Sequence, residues 1–225
     1  MVRLPNNFHR LQNLGVLRID DGDMRELPKT FGLLPALEDF TLNAPVESLP
    51  DSILEMSSLR RMKISSSKFL RMWPTPRKAY TSCHLTSLKE LQLVDLSALV
   101  ELPDSFGGMR SLERLSVTRC SALKRFPEGF GALQQLRSLT VEDCDKLEEL
   151  CESFHNLGEL REFILLRLPA LRLLPSKFGL PPSLEKLQIR QCSTLMELPQ
   201  CFLDIRSLIT VKINDCERLV TLWQD

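Results

Sequence analysis

The amino-acid sequence predicts an α/β solenoid: a curved stack of short parallel strands on a concave face, with turns and short helical segments on the convex face. Three observations predict it. An apolar triplet spaced L-x-x-L-x-L recurs nine times at a nearly constant interval. A second run, P-x-x-F-G-x-L-x-x-L, lies between triplets. Leucine supplies 45 of the 225 residues, while Tyr occurs once and Trp twice. Self-similarity at a period of roughly 20–50 residues is the signature of stacked repeats.

The triplets are Leu14-Leu17-Ile19, Leu37-Phe40-Leu42, Leu59-Met62-Ile64, Leu88-Leu91-Leu93, Leu112-Leu115-Val117, Leu136-Leu139-Val141, Leu160-Phe163-Leu165, Leu184-Leu187-Ile189 and Leu208-Val211-Ile213. Their starts are separated by 23, 22, 29, 24, 24, 24, 24 and 24 residues. Alternation within L-x-L marks a short strand with its apolar residues on one side. A unit this small cannot bury its own leucines, so neighbouring units must stack.

The rest of each unit returns the chain to the next strand. After the triplet comes a ladder position, then an apolar residue, then Leu-Pro or its equivalent. In the fifth unit these are Cys120, Leu123, Phe126 and Pro127. The run Pro127-Phe130-Gly131-Leu133-Leu136 follows, matched by Pro28-Phe31-Gly32-Leu34-Leu37 and Pro103-Phe106-Gly107-Met109-Leu112. Pro and Gly bend the chain, and the Phe fills the space between the two sides. Residues 1–13 fit as a partial N-terminal repeat. Residues 1–225 thus read as a single domain of about nine repeats, expected to be a fragment of a longer protein because no polar capping unit is evident. One unit departs from the rule: the spacing from Pro74 to Leu88 is 14 rather than nine, placing a five-residue insertion within 75–87.

Composition excludes several classes. There are 29 basic and 29 acidic residues, which argues against a nucleic-acid binder. No apolar run approaches the ~18 residues of a membrane span. The start lacks an apolar secretory segment. The seven Cys form no C-x-x-C pair, and there is no N-x-S/T site. These features lead us to expect a reducing compartment, cytoplasmic and also nuclear. His9 and His155 fall on the outer side of their units, and the neighbours Cys83-His84 on the insertion. Nothing supplies a base with an orienting third group or metal-ligand spacing. We therefore expect no enzyme activity, no metal and no cofactor in this chain.

Cys120, Cys144, Cys192 and Cys216 share the ladder position, as do Leu96 and Leu168. Even spacing marks a structural row of reduced thiols. The pattern L-x-x-L-x-L-x-x-C-x-x-L-x-x-L-P, joined to P-x-x-F-G-x-L-x-x-L at 24 residues, resembles the leucine-rich repeat region of plant intracellular nucleotide-binding leucine-rich repeat (NLR) disease-resistance proteins. The resemblance runs from Leu4 to Trp223 and is clearest over 88–127, 136–150 and 184–222. Earlier units depart from it, with Gly22, Pro45 and Ser67 in place of Cys.

That resemblance implies a protein–protein recognition domain: the sensing and autoinhibitory region of an innate immune receptor. Its partners would be a pathogen effector, a modified host protein, or the receptor's own nucleotide-binding core. ATP or ADP would bind in that upstream core, because this chain contains no G-x-x-x-x-G-K-[ST]. The alternative is an intracellular repeat scaffold or adaptor without a nucleotide switch.

Candidate contact residues come from the x positions of the triplets and from the insertion. No acidic residue lies between Met56 and Leu88, a span that contains Arg60, Arg61, Lys63, Arg77 and Lys78, with Tyr80 on the insertion. The sixth unit is acidic, with Glu142 and Asp143. Opposed patches can steer a charged partner. Arg114 and Arg190 are further outward charges, and Ser65 is expected outward too. Val94, Ile164 and Leu166 are expected to be apolar anchors where polar residues are the rule.

Overall fold

A computed structural model describes residues 4–75, 85–175 and 181–220. Its nine strands are β1 (Val16–Asp20), β2 (Asp39–Asn43), β3 (Arg61–Ser65), β4 (Glu90–Val94), β5 (Arg114–Thr118), β6 (Ser138–Glu142), β7 (Glu162–Leu166), β8 (Lys186–Arg190) and β9 (Thr210–Asn214). They form one sheet in sequence order, every neighbouring pair parallel. This is the predicted solenoid, with each strand centred on the last two apolar residues of its triplet.

Register is uniform. Leu17, Phe40, Met62, Leu91, Leu115, Leu139, Phe163, Leu187 and Val211 stand opposite one another from rung to rung. The 29-residue interval leaves no mark on the sheet, since β3 and β4 pair from Arg61↔Glu90 onward like the others. The five extra residues are absorbed between strands. A one-residue slip would turn every inward leucine out to water, so the triplets themselves lock the register.

On the convex side the chain makes 3₁₀ turns of three to five residues, at Phe8–Arg10, Phe31–Leu33, Asp51–Glu55, Asp104–Gly108, Glu128–Ala132, Glu152–Asn156 and Gln200–Asp204. No α-helix occurs among the described residues. Proline explains where several of these turns begin. Pro50, Pro103, Pro127 and Pro199 each precede one in extended conformation. The proline carbonyl then accepts the N–H three residues on, as in Phe106 N to Pro103 O at 2.9 Å. Cys151 takes the proline's place in the sixth unit.

The core is one continuous cluster of Leu, Ile, Val and Phe. Most of its members are fully buried, and each such side chain contributes about 1.5–3 kcal/mol of transfer free energy. The Phe of the proline-led run forms a spine: Phe106, Phe130 and Phe154 stack at centroid separations of 6.4 and 5.2 Å. Trp73 continues it, edge-on to Phe106 at 5.7 Å. Where a glycine follows this Phe, at Gly32, Gly107 and Gly131, close approach requires it. A Cβ on Gly32 would lie 1.6 Å from Ser52 O, and one on Gly107 would lie 2.0 Å from Gly129 O.

The ladder position behaves as a structural row. Cys120, Cys144 and Cys192 are buried with free thiols. The Cys144 thiol donates to Glu142 O at 3.5 Å, and the Cys192 thiol to Arg190 O at 3.6 Å. Ser67 fills the same role in the third unit, donating to Val46 O. The first two units differ: Met24, Ala44 and Val46 are buried there, while Gly22 is exposed.

Candidate protein-recognition surface

Each strand presents its first, third and fifth residues on the concave face. The sheet aligns these into rows roughly 4.8 Å apart per rung. The first row runs Val16, Asp39, Arg61, Glu90, Arg114, Ser138, Glu162, Lys186, Thr210. Oppositely charged residues recur on neighbouring rungs, and they pair. Arg61 Nε reaches Asp39 Oδ2 at 3.0 Å, Arg114 Nη2 reaches Glu90 Oε2 at 3.4 Å, and Lys186 Nζ reaches Glu162 Oε1 at 2.5 Å. Just before the strands, Arg60 pairs with Glu38 at 3.6 Å and Lys89 with Glu113 at 2.9 Å.

A further row follows β3 to β9; Asp143 was among the expected contact residues, but the backbone conformation of the row was not recognised from sequence. Ser66, Asp95, Arg119, Asp143, Arg167, Gln191 and Asp215 all have φ between 50° and 61°. These are left-handed conformations that non-glycine residues adopt at a cost. The backbone explains them. The first six extend the ladder by one bond, such as Asp143 N to Leu166 O at 3.1 Å, but so do Asp21 and Ala44 without a left-handed φ, so the bond alone does not require it. The chain then turns sharply to bury the ladder residue. Asp95, Arg119, Asp143 and Arg167 alternate in charge along this row. Arg119 grips Asp95 with two nitrogens, Nη2 to Oδ2 at 2.8 Å. Arg167 grips Asp143 at 2.5 and 3.0 Å and also reaches Glu142. The hydrogen bonds from Arg119 and Arg167 hold the Asp95 and Asp143 carboxyls below the ordinary range. Alternation of Asp and Arg at 24-residue spacing was the available sequence signal.

The predicted contact residues therefore divide. Arg60, Arg61, Arg114, Glu142 and Asp143 lie on or beside the concave face, each engaged with a neighbouring rung. The basic third unit is balanced by Glu38 and Asp39, and the acidic sixth unit by Arg167. Lys63 and Arg190 are exposed and, among the described residues, make no ion pair; Arg18 and Lys212 share that condition. Val94, Ile164 and Leu166 are half-buried on the concave face. Ser65 is buried, contrary to expectation, and its hydroxyl donates to Leu42 O at 3.3 Å. Arg77, Lys78, Tyr80 and the Cys83-His84 pair lie outside the described residues.

His9 and His155 each bond through Nδ1 to a backbone oxygen of their own turn, Asn6 O at 3.1 Å and Glu152 O at 2.8 Å. No group of three or more His, Cys, Asp or Glu that could hold a metal ion occurs among the described residues. No described helix is long and apolar enough to cross a membrane.

No protein-family model matches the chain, and no curated protein sequence matches it. Solved structures do. The leucine-rich repeat domain of the type III effector XopL superposes with a TM-score of 0.79 at 26% identity, covering 94% of this chain and 72% of that one. The plant peptide hormone receptor RGFR1, solved with RGF2, gives 0.51 at 19% identity, covering 94% of this chain and 42% of that one. The ectodomain of the membrane receptor kinase GASSHO1 from Arabidopsis thaliana, solved with CASPARIAN STRIP INTEGRITY FACTOR 2, gives 0.59 at 18% identity, covering 95% of this chain and 28% of that one. The likenesses to the two receptors establish the fold alone. The chain is a leucine-rich repeat solenoid, the fold of a protein-interaction domain.

Proposed function

We propose that this solenoid recognises a protein partner on its concave face, as the sensing region of a plant intracellular receptor of the NLR class. One observation carries the recognition reading. The face holds three side chains per rung in fixed register and leaves Val94, Ile164 and Leu166 apolar among polar neighbours. Rigid apolar groups rimmed by polar ones serve as anchors for partners. Ile164→Arg is expected to weaken partner binding by about tenfold or more. Binding unaltered by this substitution would remove the face from consideration.

The receptor reading rests on the 24-residue unit with its Cys ladder and P-x-x-F-G turn. It requires a nucleotide-binding core upstream, where ATP or ADP would be held. Sequencing the parent transcript upstream of the Met1 codon tests it: a strand, then G-x-x-x-x-G-K-[ST], then a helix is the expected result. The second reading is a repeat scaffold or adaptor. The fold of a type III effector's repeat domain is shared here at a TM-score of 0.79, so this architecture does not single out a receptor. A transcript with no phosphate-binding loop would favour the scaffold.

A further inference from the structure

We infer that the β1–β3 end of the concave face is a carboxylate-binding notch, built to take an Asp or Glu side chain from an extended segment of a partner protein. The inference rests on the concave-face reading and specifies the partner's chemistry. Arg18 on β1 and Lys63 on β3 both occupy the third row, with Thr41 of β2 between them in register. Two rungs place their Cα atoms roughly 10 Å apart, so both long side chains can reach one carboxylate over Thr41. Both are exposed, and among the described residues neither has an ion pair or a hydrogen-bond partner.

Lys212 on β9 and Arg190 on β8 are likewise without an ion pair among the described residues; Arg18 and Lys63 differ in flanking a single in-register position, Thr41. The carboxylates close by are already engaged. Asn43 donates to Asp20 at 2.7 Å, Arg61 to Asp39 at 3.0 Å, and Arg119 holds Asp95 by two nitrogens. Asp20 keeps its charge, since Asn43 is neutral, but it makes no ion pair with Arg18 or Lys63. The two cations flank a cavity of about 360 Å³, walled on one side by the Asp95–Arg119 pair. Val94 adds an apolar patch to its lining, suited to the methylene stem of Asp or Glu. A nucleic-acid backbone is the poorer fit. Asp20, Asp39 and Asp95 interleave with the cations, and a repeating phosphate chain would meet an acid on three of these four rungs.

The test uses the whole chain and a displayed library of random eight-residue peptides. Selected peptides are expected to carry Asp or Glu beside an aliphatic residue. Their Kd should rise about tenfold or more for Arg18→Ala with Lys63→Ala, rise with added salt, and stay unchanged for Arg110→Glu on the convex side. Peptides without acidic enrichment, or equal affinity for the double variant, would overturn the notch. So would a 12-nucleotide single-stranded RNA that binds the native chain and is lost from the double variant. Ile164→Arg separates the two levels of the argument. Peptides lost by Ile164→Arg but retained by the double variant leave the recognition face standing and remove the notch. Peptides indifferent to both, or no selected peptide at all, remove both.

Discussion

The aromatic spine allows a quantitative test at Phe130. Its ring is fully buried and lies 4.9 Å from Phe126, 5.2 Å from Phe154 and 6.4 Å from Phe106. Phe130→Ala removes that ring from between two rungs. Such truncations cost about 3–5 kcal/mol when the cavity cannot collapse. Collapse is blocked here, because a Cβ on the adjacent Gly131 would already lie 2.5 Å from Ser153 O. The turns of neighbouring rungs are therefore in contact and cannot move closer. Lost aromatic contacts add to the transfer and cavity terms, so we expect about 4–5 kcal/mol. Urea unfolding followed by tryptophan fluorescence is the assay, since Trp73 packs on Phe106 in the same spine. Phe69 is the control. It is 45% exposed and lies under the Arg25 guanidinium at 4.7 Å, so Phe69→Ala should cost about 1 kcal/mol or less. A Phe130→Ala cost below about 1.5 kcal/mol, or equal costs at the two sites, would refute a load shared through the spine.

Gly107→Ala should destabilise strongly, since its Cβ would collide with Gly129 backbone rather than with a movable side chain; an unchanged urea midpoint would contradict the close approach. At Gln191, where φ is 55°, Gln191→Val should be less stable than Gln191→Gly by about 1–2 kcal/mol, measured by thermal unfolding. On the alkaline side, burial raises the Cys192 thiol from 9.0 to about 11. A raised folded pKa means its stabilisation is complete below pH 9 and is lost as pH climbs toward 11. Cys192→Ala should flatten that alkaline decline in the urea midpoint. On the acid side the sign reverses: the lowered Asp95 and Asp143 carboxyls contribute above their unfolded value of about 3.9, and their share vanishes as pH falls below it. Asp143→Asn should lower stability at pH 7 slightly, and the difference should shrink as pH falls below about 3.9, as read by chemical denaturation.

The fold was legible because its determinants are periodic. Leu91, Leu115 and Leu139 are each placed by a triplet, and the strands follow the triplets into register. The ladder cysteines and the Phe spine were legible for the same reason. The cross-rung ion pairs were not legible because charge was read along the chain. Arg60 and Arg61 stand in a long stretch without acids, yet Glu38 and Asp39 lie one rung away, 22 residues back. Glu142 and Asp143 likewise meet Arg167 across 25 and 24 residues. In a solenoid the electrostatic neighbour is found one period away, and charges must be summed in that direction. The left-handed conformation of the row after the strands escaped notice because no glycine announces it. Arg119, Arg167 and Gln191 take a strained φ where the chain turns in to bury Cys120, Leu168 and Cys192, and their type gives no hint of it.

Summing across rungs also changes what counts as a candidate site. A charge paired with a neighbouring rung gains little more from a partner, which must first compete for it and then desolvate both groups. Arg61 and Glu142 are in this state. Arg18 and Lys63 are not, because Thr41 stands where a paired row would place an acid. The first row shows the contrast on the same three strands: there Asp39 of β2 neutralises Arg61 of β3. Substituting Thr41→Asp should therefore close the notch from within. The new carboxylate would lie between the two cations, and an acidic peptide should lose affinity through repulsion and through loss of its cationic partners together. The measured loss should match or exceed that of Arg18→Ala with Lys63→Ala. A Thr41→Asp chain that binds the acidic peptide as well as the native chain would show that the cations act independently of any ligand carboxylate.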